Sequence, residues 1–436
     1  MADSTSTSTV CVVALGKIGL PLAVQFASKG HRVIGADVDQ RVVDLVNAGQ
    51  EPFPGETDLG VKMAEATAAG LLSATTDTAS AVAQADAVVV VVPLYVDAEG
   101  IPDFTWMDAA TRSIAAGLKP GTLVSYETTL PIGTTRNRWA AMLAEGSGLT
   151  AGTDFHLVFS PERVLTGRVF ADLRRYPKLI GGLTEACAAA GTAFYQTVLD
   201  FDERADLPRP NGVWDLGSVE ASEFAKLAET TFRDVNIGLA NQFARYADSI
   251  DVDILKVIEA CNSQPYSHIH LPGIAVGGHC IPIYPRMYLW NDPAATVVRA
   301  AREANAAMPS YAVDLLQAAY GDLAGASVLV LGASYRGGVK ETAFSGVFGT
   351  VAELQARGAT AYVSDPMYTA EELAAVNLTA HAGEPVTAAV VQADHAEYRS
   401  LTPADLPGVR VLVDGRRVTD AAAWDVDGVR RVVIGG

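Results

Sequence analysis

Two doubly wound α/β domains joined by a long-helix central segment are the architecture this sequence predicts, and three observations carry it. Short apolar runs alternate with alanine-rich helical stretches from Val10 onward and again after Pro309, which is the pattern of a parallel sheet with crossover helices. One design, strand, glycine turn, helix, glycine, strand, acid, occurs over residues 10–37 and again over 327–365. Between the halves, Ser218–Cys261 holds no proline and a single glycine, Gly238.

In chain order, Val10–Ala14 reads as the first strand. The turn Leu15-Gly16-Lys17-Ile18-Gly19 follows it, then a helical pattern through Leu22, Val24 and Phe26, and a second strand, Arg32–Ala36, ending at Asp37. Further strands are expected at Ala87–Val92, Thr122–Tyr126 and Phe155–Phe159. The first domain spans 10–205, with Pro208–Gly212 as its boundary. A central domain over 212–310 follows. Its long helix is expected to break near Asp251 and carries Phe224, Leu227, Phe232, Val235, Leu239 and Phe243 at helical spacing. That apolar row reads as a spine packed against another subunit. The last domain, 318–436, restarts with a strand Ser327–Gly332, a helix Ser345–Arg357 and a strand Gly358–Ser364 before Asp365. It lacks the glycine signature of the first half, so the duplication is inexact, and a duplicated nucleotide fold suggests two nucleotide ligands.

Composition excludes several function classes. The 436 residues suggest about three domains. Mean hydropathy of +0.20 is high, yet no apolar run approaches the roughly 20 residues of a membrane span. Residues 1–9 have neither a basic nor an apolar segment and read as a disordered tail without an export signal. Four scattered cysteines make no disulfide framework, so a cytoplasmic protein is expected. With 32 basic against 50 acidic residues, the net charge of −18 argues against a nucleic-acid partner.

The first turn resembles the Rossmann fingerprint G-x-G-x-x-G with Ala14 in place of the first glycine. Gly16 would let the backbone approach a pyrophosphate, with Lys17 and Ile18 in the same turn, and Gly19 permits close helix–strand packing. Asp37 stands where a carboxylate hydrogen-bonds an adenosine ribose and repels a 2′-phosphate, which favours NAD over NADP. The bland alternative is that these glycines only serve a turn. Gly277-Gly278-His279-Cys280 suggests an accessible thiol, against the commoner fate of a small buried hydrophobe. A zinc site from His268, His270, His279 and Cys280 is disfavoured, because adjacent side chains diverge. Lys226 shares a helix stripe with Thr230 and Arg233. Such a stripe is usually solvated, but the flanking Phe224, Leu227 and Phe232 allow a partly buried lysine that stabilises an alkoxide.

Further motifs resemble the nucleotide-sugar 6-dehydrogenases, a family that includes the UDP-glucose, GDP-mannose and UDP-N-acetylmannosamine dehydrogenases. They are Ser160–Leu165, Lys178–Gly182, Phe232–Ile237, Gly277–Cys280, Asp394–Tyr398 and Asp414–Arg416. Ser160–Leu165 and Phe232–Ile237 are nearest the N-acetylmannosamine branch. The resemblance implies oxidation of a hexose C6 alcohol to the acid, with two NAD consumed, by a homodimer acting on a nucleoside-diphosphate sugar. It implies Cys280 as nucleophile through a thiohemiacetal and a thioester, Lys226 as oxyanion stabiliser, Glu162 in hydrolysis and Thr129 in the active site. Substrate contacts would come from Glu162, Arg163, Lys226, Gly277 and Gly278, and Arg336, Lys340 or Arg416 would hold the diphosphate. The sequence departs from the family pattern at Thr230, Tyr284, Tyr266 and Ala343. Two rivals are a two-electron dehydrogenase that stops at the aldehyde and a non-catalytic binding protein.

Overall fold

A computed structural model describes residues 8–97 and 100–436. The chain divides into two compact units, one up to Ala228 and one from Glu229.

The first unit is built on β1 (Thr9–Val13), β2 (Arg32–Ala36), β3 (Leu72–Thr75), β4 (Ala87–Val90), a small antiparallel hairpin of β5 (Tyr95–Val96) and β6 (Pro102–Asp103), then β7 (Leu123–Tyr126), β8 (His156–Phe159), β9 (Lys178–Gly182) and β10 (Val213–Asp215). All but the hairpin form one eight-stranded sheet in the order β10-β9-β8-β7-β4-β1-β2-β3. Its pairings are parallel except β8 with β9. The central strands are continuously apolar because helices cover both faces: Val10–Val13 and Ala87–Val90 are buried throughout. Strand order reverses between β1 and β4. The crevice beyond the carboxyl ends of these strands is where such sheets bind ligands.

Two expectations shift here. Thr9 opens β1 instead of closing a tail, and Ser8 bonds His31 at 2.8 Å; residues 1–7 lie outside the described residues. The expected boundary at 205, with Pro208–Gly212, falls inside the sheet, because β10 pairs with β9 beyond it.

The second unit holds β11 (Ser327–Leu331), β12 (Thr360–Ser364), β13 (Ala388–Val391), β14 (Val411–Asp414) and β15 (Arg430–Val433), all parallel, in the order β12-β11-β13-β14-β15. Alternate β11 residues feed two apolar layers. Val328 and Val330 pack with Met308, Leu316 and Leu354, while Leu329 and Leu331 pack with Leu412 and Trp424. The helix Val219–Ser249, 31 residues long, spans the division. It ends where expected: Asp251 takes a left-handed φ of 56° and a new helix runs Ile254–Asn262, its first turn capped by Asp253.

This helix buries Lys226, as the sequence reading allows, but turns outward two of the aromatic residues expected to flank it, Phe224 and Phe232. Ser222, Glu223, Lys226, Thr230, Thr231, Asp234 and Asn241 are buried, whereas Phe224, Phe232, Leu239 and Phe243 are exposed, Phe232 by 61%. Arg233, expected to share the lysine's stripe, is on the exposed side. Asp234 and Asn241 stay buried with partners, whereas the Ser222 and Thr231 hydroxyls are buried without one. Asp234 accepts from Arg302 at 2.7 Å and from Asn305 at 2.8 Å, and Asn241 bonds Asn305 at 2.8 Å. Gly238 lets the helix approach closely beside them, since a Cβ there would lie 3.0 Å from the Ala301 carbonyl oxygen, tighter than an ordinary contact.

Candidate active site

The first glycine turn has the geometry of a phosphate cradle. Ala14 takes φ 76°, the left-handed conformation that a fingerprint's first glycine provides, at a cost of about 1–2 kcal/mol for an L-residue. A Cβ added at Gly16 would meet nothing within 4 Å, whereas one at Gly19 would lie 1.9 Å from the Ala14 carbonyl oxygen. Gly16 therefore leaves open space and Gly19 closes the helix onto the strand. The helix Gly19–Ser28 starts without a side-chain cap and without an acid in its first turn. Its amide end, with Lys17 and Ile18 just before it, suits an anion. Asp37 ends β2 and accepts from the Leu15 amide at 2.7 Å and the Asp39 amide at 2.9 Å. Each carboxylate oxygen keeps a lone pair for a further donor, and Asp37 is half-exposed. These residues fit a dinucleotide.

Beyond the ends of β7, β8 and β9 lies a buried charge cluster of which the sequence reading assigns a role only to Glu162. Lys178, the first residue of β9, places its ammonium 2.7 Å from Glu127 Oε2 and 2.9 Å from Glu162 Oε2. Tyr195 donates its hydroxyl to Glu127 Oε1 at 2.5 Å, and Ser125 Oγ lies 2.6 Å from that phenol oxygen. Glu162 Oε1 accepts from the Arg163 amide at 2.7 Å. Lys226 donates its ammonium to the Glu162 backbone carbonyl at 2.7 Å, so two sequence-proposed residues meet here. Lys226 is only 8% exposed. Thr129 is buried in the loop after Glu127, where Thr128 Oγ1 donates to the Val92 carbonyl at 2.7 Å. Arg163 turns its guanidinium toward the Pro177 carbonyl and the Tyr176 ring.

Electrostatics divide the two carboxylates. Burial pushes Glu127 up to about 7 although Lys178 opposes it, and the negative Glu162 nearby adds to the rise. Burial would raise Glu162 as well. The charge and hydrogen bond of Lys178, with the Arg163 amide, outweigh it and hold Glu162 below the usual carboxylate range. Glu162 has the extra amide donor and an 11% exposed side chain, against 0% for Glu127. It is the member of the pair that keeps the ionised form. Lys178 stays charged, since its two carboxylates outweigh its own burial.

A second buried carboxylate anchors the long helix. Glu223, one turn before Lys226, accepts from the amides of Gly133 at 2.5 Å and Thr135 at 2.9 Å. Burial pushes it up to about 7 against those two bonds.

In the second unit, Cys280 is half-buried and opens the turn into the helix Tyr284–Asn291. Its carbonyl accepts from the Ile283 and Tyr284 amides at 3.2 and 2.9 Å. Gly278 takes φ 90° and donates its amide to the Ala343 carbonyl at 2.8 Å, and a Cβ on Gly277 would lie 2.3 Å from Tyr335 Cβ. The glycine pair thus lets the cysteine loop pack against residues 335–344. His279 turns away to Glu341 at 3.0 Å. Among the described residues no group of three or more His, Cys, Asp or Glu is arranged to hold a metal.

The three expected diphosphate residues differ in availability. Arg416 donates to the Gln392 carbonyl at 3.0 Å and the Tyr335 carbonyl at 3.3 Å. Lys340 pairs with Glu372 at 2.5 Å. Arg336 is exposed and stacks its guanidinium over Tyr335. Asp365 repeats Asp37, accepting from the Ala333 and Ser334 amides at 2.8 and 3.0 Å, but it is buried and also bonded to His395 at 3.1 Å. Among the described residues no helix is long and apolar enough to cross a membrane.

Comparison with known proteins places these features in a family. Models of the UDP-glucose/GDP-mannose dehydrogenase family match as its NAD binding domain over residues 8–199, its central domain over 220–307 and its UDP binding domain over 329–421. The UDP-N-acetyl-D-mannosamine dehydrogenase of Pyrococcus horikoshii is 31% identical over 417 residues, 94% of this chain and 95% of that protein. The solved structure of the UDP-D-ManNAc dehydrogenase from that organism superposes with a TM-score of 0.85 at 29% identity, covering 98% of this chain and 99% of that one. An NDP-N-acetyl-D-galactosaminuronic acid dehydrogenase from Methanosarcina mazei has the same TM-score at 26% identity, covering 98% and 95%.

Glu223 makes stability depend on pH in a defined direction. The folded protein holds its proton more tightly than the unfolded chain, so the contribution is fully present below about 4.5 and is lost as pH rises through about 7. Glu223→Gln should therefore gain stability relative to the unsubstituted protein between pH 4.5 and 7.5, read from urea midpoints. A difference that stays constant across that range contradicts the assignment.

Proposed function

The chain belongs to the UDP-glucose/GDP-mannose dehydrogenase family, an NAD-dependent nucleotide-sugar dehydrogenase therefore, and from that premise we propose that it oxidises the C6 alcohol of a UDP-linked N-acetylmannosamine-type hexose to the uronic acid in two successive oxidations. The observation that carries the reading is the buried Lys226 ammonium bonded to the Glu162 backbone, beside a carboxylate held ionised. Similarity to proteins named UDP-N-acetyl-D-mannosamine dehydrogenase supports the choice of sugar.

Residues 10–205 hold NAD in this reading, with Gly16, Lys17, Ile18 and Gly19 at the pyrophosphate, Asp37 at the ribose and Thr129 nearby. NAD when bound accepts a hydride in each oxidation. The residues of this chain do the rest. Lys226 stabilises the negative oxygen that develops on C6. Cys280 as thiolate adds to the aldehyde carbon, giving a thiohemiacetal that stays attached to the protein. The second oxidation leaves a thioester. Glu162 then takes a proton from water, the water oxygen adds to the thioester carbonyl, and Cys280 leaves as thiolate.

Residues 318–436 hold the nucleoside diphosphate, with Arg336 the most available cation of the three proposed, and Gly277 and Gly278 let the sugar approach Cys280. The exposed Phe232, Leu239 and Phe243 support pairing of residues 212–310 with a second copy, because so large an apolar row is costly to leave in water.

Two outcomes are expected. Asp37→Ala should weaken NAD binding by roughly 1–2 kcal/mol, the scale of a charge-assisted hydrogen bond, and should relax discrimination against NADP. Equal use of NADP by the unsubstituted enzyme contradicts the assignment. Each sugar should yield two NADH and no free aldehyde, and Cys280→Ser should lose nearly all turnover to the acid. One NADH per sugar with released aldehyde would favour the two-electron dehydrogenase.

A further inference from the structure

We propose that Glu127 and Lys178 are positioning residues that fix the orientation and charge of the Glu162 carboxylate for thioester hydrolysis; this rests on the role proposed above for Glu162. The geometry leaves them no other route to the reaction. Their side chains are 0% and 4% exposed, whereas that of Glu162 is 11% exposed. Anything they do to a substrate must pass through Glu162.

The arrangement is specific. Lys178 is a single cation divided between two carboxylates, at 2.7 Å from Glu127 and 2.9 Å from Glu162. With Lys178 on Oε2 and the Arg163 amide on Oε1, the Glu162 carboxylate is held at both oxygens. Glu127 is held likewise, by Lys178 and the Tyr195 hydroxyl, and its backbone carbonyl accepts from the Glu162 amide at 3.2 Å. The other charged groups near Glu162 are Lys226 at its backbone carbonyl and the Arg163 side chain, which turns to Pro177 and Tyr176.

As mere glue the cluster would be a poor choice. Apolar residues of similar volume are often as stabilising as a buried ion pair or more so. Its distinctive property is leverage over Glu162. The cation favours the ionised carboxylate, and Glu127, on which burial holds a proton up to about 7, is neutral while Glu162 titrates and favours the same form by hydrogen bonding.

Both residues therefore favour the ionised Glu162, Lys178 by its charge and Glu127 as a neutral neighbour, and the test uses that. The acyl-enzyme on Cys280 is generated with NAD and UDP-N-acetylmannosamine, and its decay is followed by intact mass against pH. Lys178→Met should move the acid limb of the decay rate up by about 1–3 pH units and let the adduct accumulate at pH 7. Glu127→Leu, which removes the neutral hydrogen-bonding neighbour, should move the limb up by about one unit. A purely architectural pair would lower the yield of folded enzyme without moving either limb, and unmoved limbs overturn the inference. If Lys178→Met does not fold, the direction of the Glu127→Leu shift decides alone. Glu162→Gln separates the two levels. Unchanged decay in that variant defeats the proposed role of Glu162 itself, whereas slowed decay with unmoved limbs in the other two defeats only the present inference.

Discussion

A single buried ammonium, that of Lys178, is the constraint on which the polar interior of the first unit depends. It bridges residues at the ends of three neighbouring strands, Glu127 after β7, Glu162 after β8 and itself at the start of β9. Burying the Lys178–Glu162 pair costs several kcal/mol per ion before pairing offsets it. The return is a fixed loop at Ser160–Arg163. Ser160 Oγ ties that loop to the Leu179 carbonyl at 2.7 Å, and the Glu162 carbonyl receives the Lys226 ammonium. The start of the long helix is thereby attached at two places, through Lys226 to this loop and through Glu223 to the amides of Gly133 and Thr135. The helix gives its polar face to the interior because those partners exist, and its aromatic face is what remains outside.

The internal duplication has diverged at one decisive atom pair. In both halves an aspartate ending the second strand accepts the amides of the glycine turn, Asp37 from Leu15 and Asp365 from Ala333 and Ser334. Asp37 stays half-exposed and can receive a ribose hydroxyl. Asp365 is enclosed, and His395 takes the same oxygen that holds the turn. The bond to His395 and the turn amides outweigh burial and hold Asp365 down at about 2. The second turn is therefore locked by its own side chains, which accords with a UDP binding domain there and not a second dinucleotide site.

Much of this is legible in the sequence, for physical reasons. The central strands are unbroken runs of Val and Ala, so Arg32–Ala36 is expected at the observed bounds and most others within two residues. The left-handed Asp251 breaks the long helix where a run of Asp and Ile interrupts its apolar spacing. The short strands β3, β10 and β15 carry too few apolar residues to stand out. Periodicity picks out the apolar row of the long helix but cannot say that the opposite side meets a polar interior. Glu127 and Lys178 escape notice for a related reason. A lone Glu or Lys is solvated by default, and only the sheet order that makes β7, β8 and β9 neighbours brings the pair together. The one available signal is position, since Glu127 directly follows a buried strand at the end where such sheets place their chemistry.

The central claim is that the polar interior formed by the long helix and the strand ends serves catalysis and not only architecture. The most direct test is Lys226→Met in a single-turnover measurement of the first oxidation with saturating NAD and UDP-N-acetylmannosamine. The rate should fall about 10²–10³-fold, the range for losing one oxyanion donor, with little change in NAD affinity or in the thermal midpoint. A variant that folds normally and retains the full rate would contradict it.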